Sequence, residues 1–135
     1  MKLDGSCHCG ALTVQLETEK QPSELPVRQC GCKFCLKHRP RYTSDPAGHV
    51  TIRIAGDVSH YRFGLRLADF LVCKTCGVFV AAYEDAGRAV INLETLARAS
   101  EFTAPPLLLT IYDTEDVPAR TSRREKNWTP ATIVE

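Results

Sequence analysis

The sequence has no long apolar run and almost no excess charge of either sign. A membrane-spanning helix needs roughly 20 consecutive apolar residues, and no segment of the 135 residues comes near that length. Lys and Arg number 17 against 16 Asp and Glu, which gives a formal net charge of +1. A protein that grips a polyanion usually carries a clear basic excess. The composition therefore argues against nucleic acid and against a membrane as partners.

A secretion signal is also missing, because residues 1–5 are not followed by the apolar stretch that such a signal needs. We therefore expect a soluble, cytoplasmic protein. Hydrophobic residues make up 44% of the chain and charged residues 24%, which excludes disorder throughout. A length of 135 residues is ordinary for one domain. Residues 1–135 are expected to form a single domain.

Apolar patterns of helical length are scarce, and alternation with a period of two predominates, which predicts a mainly β domain with little helix. Residues 94–99 could form at most a short helix with Asn92 near its start. From about residue 113 the chain becomes polar and its last strand signal is weak, so we expect a solvated tail that the lone Trp128 pins by packing. The strand candidates are residues 12–16, 50–54, 70–72 and 78–82 as a hairpin, 89–93, and 107–112.

Seven cysteines are many for a chain of this size, and none stands alone. A reducing cytosol disfavours disulfides, and an odd number could not all pair. Short Cys-x-Cys and Cys-x-x-Cys spacings bring two sulfurs onto one Zn²⁺, about 2.3 Å from each. Burial as small hydrophobic residues explains such grouping poorly, and the strand–helix alternation around a thioredoxin-like redox pair is missing. Metal binding is the favoured explanation for the three groups: Cys7 and Cys9; Cys30, Cys32 and Cys35; Cys73 and Cys76.

Structural zinc sites close four ligand positions, whereas catalytic sites keep one open. Two Cys pairs make a natural closed site, which leaves the triplet Cys30, Cys32 and Cys35 with an open position. A competing partition, in which Cys73 and Cys76 join two members of the triplet, stays possible from the pattern. Glycine after a knuckle, as at Gly77, suits a turn with positive φ. Among the histidines, His38 is a weaker candidate ligand for the second site, and His8 weaker still.

Three thiolates around Zn²⁺ leave an electron-rich ion that acidifies water less well than a three-histidine site does. A further soft ligand suits such an ion better, and an incoming thiol would lose its proton on binding. Thiol chemistry is therefore favoured over hydrolysis. A basic run beside the triplet could attract an anionic thiol; it comprises Lys33, Lys37, His38, Arg39 and Arg41. The second basic cluster, of Arg120, Arg123, Arg124 and Lys126, is interpreted as part of the solvated tail.

Three ordered motifs carry a resemblance that covers about residues 5–93: Gly5-Ser6-Cys7-His8-Cys9-Gly10, Cys30-Gly31-Cys32-Lys33-Phe34-Cys35 and Cys73-Lys74-Thr75-Cys76-Gly77. They resemble the glutathione-dependent formaldehyde-activating enzyme family, which includes centromere protein V. The resemblance implies a β-tent of antiparallel sheets organised around zinc. It implies one structural zinc on Cys7, Cys9, Cys73 and Cys76. It also implies a second zinc, at the active site, on Cys30, Cys32 and Cys35.

The activity implied by the resemblance is that of a zinc-dependent carbon–sulfur lyase. Such an enzyme joins a glutathione-like thiol to a formaldehyde-like aldehyde, or releases them from the S-hydroxymethyl adduct. Small molecules rather than macromolecules are then the expected partners. The alternative, which centromere protein V illustrates for this family, is a non-catalytic zinc-binding scaffold or interaction module of the same fold.

Overall fold

The chain is mainly β in a computed structural model that describes residues 1–107 and 110–135. Two α-helices lie in these ranges, α1 (Lys33–His38) and α2 (Val117–Asn127). Short 3₁₀ turns occur at Pro22–Glu24, Leu93–Thr95 and Ala99–Glu101. The strands are β1 (Lys2–Ser6), β2 (Leu12–Glu17), β3 (Tyr42–Thr43), β4 (His49–Ile54), β5 (Val58–Tyr61), β6 (Ala68–Cys73), β7 (Phe79–Glu84), β8 (Arg88–Asn92) and β9 (Thr129–Val134).

All nine strands belong to one sheet, in the order β1-β2-β4-β9-β8-β7-β6-β5, with β3 paired to β8. Neighbours run antiparallel except β4 and β9, which run parallel. Strand β9 pairs residues 131–134 with β4 and residues 129–130 with β8. It therefore joins the half of the sheet built from β1, β2 and β4 to the half built from β5 to β8.

The two halves are folded towards each other. Strands β2 and β6 are five positions apart in the sheet order, which in a flat sheet means about 24 Å at roughly 4.8 Å per strand. Yet sulfurs from the β1–β2 turn and the β6–β7 turn lie within 4.8 Å of one another. The sheet must bend strongly between its edges to bring these turns together.

Alternating burial on β2 confirms the predicted strand, because Leu12, Val14 and Leu16 are buried between more exposed neighbours. The hairpin β6–β7 and the strands β4 and β8 also lie where the sequence predicted them. Strand β7 is different, since nearly all its residues are buried. Ala81 packs in the larger core, with Leu12 and Ile52, whereas Phe79 and Ala82 pack in a smaller core with Trp128. The β7–β8 layer thus has a core on each side.

The C-terminal part of the chain corrects the predicted solvated tail. Residues from 117 onwards form α2 and then β9, which lies inside the sheet rather than in solvent. Trp128 is buried as expected, and the Arg124 guanidinium lies 4.3 Å from the centroid of its ring. Asp116 caps α2, its carboxylate accepting from the Ala119 N–H at 2.9 Å.

The strand predicted at residues 107–112 is not formed in its described part. Leu107 is exposed, and residues 110–112 contribute only an isolated bridge between Thr110 and Cys30. Leu108 and Leu109 of that prediction lie outside the described residues. Within the part of the chain that the structure describes, no helix has both the length and the apolar character needed to cross a bilayer.

Candidate metal centres and the adjoining cavity

Four cysteines from two distant turns meet on the side of the larger core. The sulfurs of Cys7, Cys9, Cys73 and Cys76 all lie within 4.8 Å of one another. Cys7 follows β1 and Cys73 ends β6, and both side chains are buried in the larger core. The cluster therefore connects the two halves of the folded sheet.

The two turns that carry these cysteines share one device. A glycine with positive φ follows the second cysteine in each, Gly10 at 87° and Gly77 at 79°. The N–H of each glycine donates to the carbonyl of the first cysteine, at 3.3 Å for Cys7 and 2.8 Å for Cys73. Residues with a Cβ rarely adopt such a φ, which confirms the role predicted for Gly77. These tight turns direct two sulfurs each to the same point.

The spacing of the four sulfurs fits a tetrahedral cation. Sulfurs at about 2.3 Å from a tetrahedral zinc are about 3.8 Å apart. Cys7 Sγ and Cys9 Sγ are separated by 3.7 Å, and Cys9 Sγ and Cys73 Sγ by 3.5 Å, far beyond disulfide length. The Leu12 N–H, 3.3 Å away, donates to the Cys7 sulfur. This donor set could hold a metal ion, and soft thiolate ligands suit zinc among the common cations.

The second cluster lies on the smaller core. The sulfurs of Cys30, Cys32 and Cys35 also lie within 4.8 Å of one another, and Cys35 is buried among aromatic residues there. Helix α1, which the sequence analysis missed, creates this geometry. Cys32 is its N-cap, and the Cys35 N–H donates to the Cys32 sulfur at 3.4 Å. One turn of helix thus brings Cys32 and Cys35 to the same side.

The three sulfurs compete for protons. Hydrogen bonds from the Cys30 and Cys35 thiols lower the pKa of Cys32 to about 2. The contacts with Cys30 and Cys32 in turn raise the pKa of Cys35. A cation bound by thiolates displaces such shared protons, so the triplet could also hold a metal ion. Three protein ligands leave one position of a tetrahedral ion open.

Tyr42 is a polar neighbour of the triplet that the sequence analysis did not identify. Its hydroxyl lies 3.0 Å from Cys35 Sγ, in a buried site. Burial, together with the nearness of Cys35, raises the pKa of the phenol well above its ordinary value. The phenol therefore stays protonated and can donate to a Cys35 thiolate. Such outer hydrogen bonds orient metal ligands and tune their basicity.

A cavity of about 220 Å³ adjoins the triplet. Cys30, Cys32 and Cys35 line it, together with Tyr42, Phe70 and Trp128. The four-cysteine cluster contributes no residue to this cavity. A small molecule in this cavity can therefore contact the triplet but not the four-cysteine cluster.

Four arginines line the same cavity, Arg28 from the segment before the triplet and three from α2. We call these four residues the arginine wall: Arg28, Arg120, Arg123 and Arg124. Arg120 and Arg123 both pair with Glu115, with nitrogen–oxygen distances of 3.1 and 2.9 Å. Burial lowers the pKa of Arg124 and raises that of its partner Glu84, 3.5 Å away. The α2 arginines, interpreted from the sequence as part of a solvated tail, are therefore partly or wholly buried at the cavity.

The basic run predicted to guide an anionic thiol lies elsewhere. Among the described residues that line the cavity, none belongs to that run. Arg41 instead pairs with Glu94 at 2.7 Å, and Lys37 is exposed. The His38 ring packs at a tilt against that of Phe34, with ring centroids 4.6 Å apart, and joins neither cysteine cluster. His8 likewise lies outside both clusters.

A signal for the arginine wall was present in the sequence. Asp116 followed by Pro118 is typical of a helix start. Residues at positions i, i+3 and i+4 share one helical face, which groups Arg120, Arg123 and Arg124. The closeness of this face to the triplet could not be predicted, because it depends on how α2 packs.

No protein-family model matches this chain. The fold is similar to that in the crystal structure of a Rhodobacter sphaeroides protein, a structural genomics target, with a TM-score of 0.60. The match covers 76% of this chain and 97% of that one. Sequence identity is 22%, so the likeness concerns the fold alone.

Proposed function

We propose that the protein is a zinc-dependent enzyme of the carbon–sulfur lyase type. Its substrates would be a small, glutathione-like thiol and a small, formaldehyde-like aldehyde. The observation that carries the proposal is the position of Cys30, Cys32 and Cys35, three metal-ligating sulfurs that line one cavity. The sequence resemblance to the formaldehyde-activating family, with its β-tent organised around zinc, supports the same assignment.

The two clusters would have different roles, one structural and one catalytic. The four-cysteine cluster supplies four ligands and does not line the cavity, as expected of a structural site. Its members are Cys7, Cys9, Cys73 and Cys76. Cys30, Cys32 and Cys35 supply three, which leaves room for a substrate atom. Zinc held there would act as a Lewis acid that lowers the pKa of a thiol substrate.

The residues around the triplet would position the reactants. Tyr42 would hold Cys35 as a thiolate, and the apolar cavity wall at Phe70 and Trp128 would exclude water from the reacting atoms. In the synthetic direction the thiol sulfur forms a bond to the aldehyde carbon, and the thiol proton finishes on the carbonyl oxygen. The product is an S-hydroxymethyl thioether, and no oxidant or reductant is needed.

Exchange NMR with glutathione and ¹³C-formaldehyde tests the activity directly. We expect the zinc-loaded protein to accelerate exchange between free formaldehyde and the adduct, with two zinc ions per chain by metal analysis. Cys32→Ser should lose the second zinc and the acceleration. Lys37→Ser, which alters an exposed residue of the same helix, is the matched control and should keep both.

Two zinc ions per chain without acceleration by the wild-type protein would contradict the enzyme assignment. That result would favour the non-catalytic scaffold of the same fold. Acceleration that survives in Cys32→Ser would contradict the assignment of the triplet instead.

A further inference from the structure

Arg28 differs from the other arginines of the cavity in having no carboxylate partner. Among residues 1–107 and 110–135, no Asp or Glu oxygen lies within 4.0 Å of its guanidinium, whereas Arg120, Arg123 and Arg124 each have one. Its hydrogen bond goes to a neutral group, the Ser44 hydroxyl at 2.6 Å. Ser44 in turn donates to the Asn127 carbonyl at 2.5 Å. The side chain is thus held in place while its charge stays uncompensated.

The environment makes this uncompensated charge costly. Arg28 is half-buried, and it lines the cavity together with the like-charged Arg123 and Arg124. Charged groups removed from water are normally paired. Arg124 in the same cavity wall differs, since its guanidinium is buried and pairs with Glu84. A cavity-lining guanidinium without a carboxylate partner points to an anion as the missing partner.

The position of Arg28 relates this anion to the triplet. Arg28 and Cys30 are two residues apart on an extended segment, which bridges to Tyr42 on one side and to Thr110 on the other. Side chains at i and i+2 of an extended chain point to the same face, with Cα atoms about 6.6 Å apart. Both line the same cavity. A molecule bound at the Cys30 sulfur is therefore within a few ångströms of the arginine wall.

We propose that Arg28 forms a carboxylate-binding subsite, so that the thiol substrate carries a carboxylate close to its sulfur. Guanidinium groups bind carboxylates through two parallel hydrogen bonds. The volume of about 220 Å³ is below the roughly 300–1,000 Å³ of pockets for drug-sized ligands, so the cavity takes the thiol-bearing part of a substrate rather than the whole of a glutathione-sized molecule. This inference rests on the proposed function for the role of the thiol.

Calorimetric titration of the zinc-loaded protein with three probes tests the subsite. The probes are 3-mercaptopropionate, which has a thiol and a carboxylate; 2-mercaptoethanol, which has only the thiol; and propionate, which has only the carboxylate. We expect 3-mercaptopropionate to bind at least about tenfold more tightly than 2-mercaptoethanol, the effect of one charge-assisted contact. Propionate should bind weakly and compete with 3-mercaptopropionate.

Variants assign the effect to Arg28. Arg28→Gln should remove the preference for 3-mercaptopropionate and leave the affinity for 2-mercaptoethanol unchanged. Arg28→Lys keeps the charge without the two-pronged geometry and should restore part of the preference. Arg53→Gln, an exposed arginine on β4, is the matched control and should bind all three probes like the wild type. Zinc content and circular dichroism establish that each variant is folded.

Equal affinities of the wild type for the two thiols would overturn the subsite, and this comparison needs no variant. A preference that persists in folded Arg28→Gln would overturn it as well. Failure of the proposed function gives a different pattern, in which 2-mercaptoethanol does not bind while propionate binds in an Arg28-dependent way.

Discussion

Among single residues, Tyr42 offers the sharpest test of how the triplet is tuned. Tyr42→Phe removes the hydroxyl that lies 3.0 Å from Cys35 Sγ and keeps the buried ring. Because outer-shell hydrogen bonds typically contribute about 10–100-fold in metal affinity, we expect zinc at the triplet to be held at least about tenfold more weakly. The fold should remain, with a loss of about 1 kcal/mol in unfolding free energy for the missing hydrogen bond. Competition with a chromophoric chelator measures the affinity.

Tyr83→Phe is the control for this variant, because the Tyr83 hydroxyl has no hydrogen bond among the described residues and the ring lies on β7. It should leave both zinc affinities unchanged. A Tyr42→Phe protein that holds the second zinc like the wild type would show that the hydroxyl serves packing alone.

The cysteines and Gly77 could be singled out from the sequence, because ligand spacing and glycine conformation are local properties. Tyr42 could not, since its position beside Cys35 depends on tertiary pairing with Arg28 and with Asn92 of β8.

Among the elements, β9 is the strand whose removal should disrupt the sheet at its centre. It lies between β4 and β8 and joins the two halves of the sheet, and the Thr129 hydroxyl accepts from the buried Asp45 N–H at 2.8 Å. Deleting residues 129–135 leaves backbone groups of both neighbouring strands without partners, at about 1–3 kcal/mol for each buried group. That total approaches the roughly 5–15 kcal/mol by which whole domains are stable. We expect the shortened protein to lose cooperative thermal unfolding by circular dichroism.

Removal of Glu135 alone, which is exposed and follows the strand, is the control and should leave the thermal midpoint unchanged. Cooperative unfolding of the chain lacking residues 129–135 would show that β9 is an accessory strand.

The sequence predicted β2, β4, β8 and the β6–β7 hairpin well, because each alternates or is flanked by turn residues. Strand β9 was missed because its residues are half-buried with no clear alternation, and its stability comes from neighbours distant along the chain.

At the scale of the whole molecule, the two metal centres should differ in what their loss does. Cys73 is buried in the larger core and its cluster joins distant parts of the sheet. The triplet lies within six consecutive residues, so a metal ion held there would not link distant segments through its ligands. Because a structural metal site contributes folding free energy directly, Cys73→Ser should unfold the protein or sharply lower its thermal midpoint. Cys32→Ser should lose one zinc and keep the fold.

Chelation can distinguish the two metal centres without an amino-acid substitution. Titration with a strong chelator should remove the zinc at the triplet first, with no change in far-ultraviolet circular dichroism, because that site has an open position. Loss of the second zinc should then coincide with unfolding. Simultaneous release of both metals with unfolding, or equal destabilisation by the two serine variants, would contradict the division of the cysteines into four and three.

Strand alternation and short ligand spacings are local patterns, so the sequence alone predicted a mainly β domain with grouped cysteines. Which of these groups meet depends on tertiary packing, because the sheet bends to bring the turn after β1 onto the turn after β6. The net charge of +1 also gave no indication that arginines would cluster at one cavity. Arg28 and three arginines of α2 line one cavity, and this convergence follows from the packing of α2 rather than from composition.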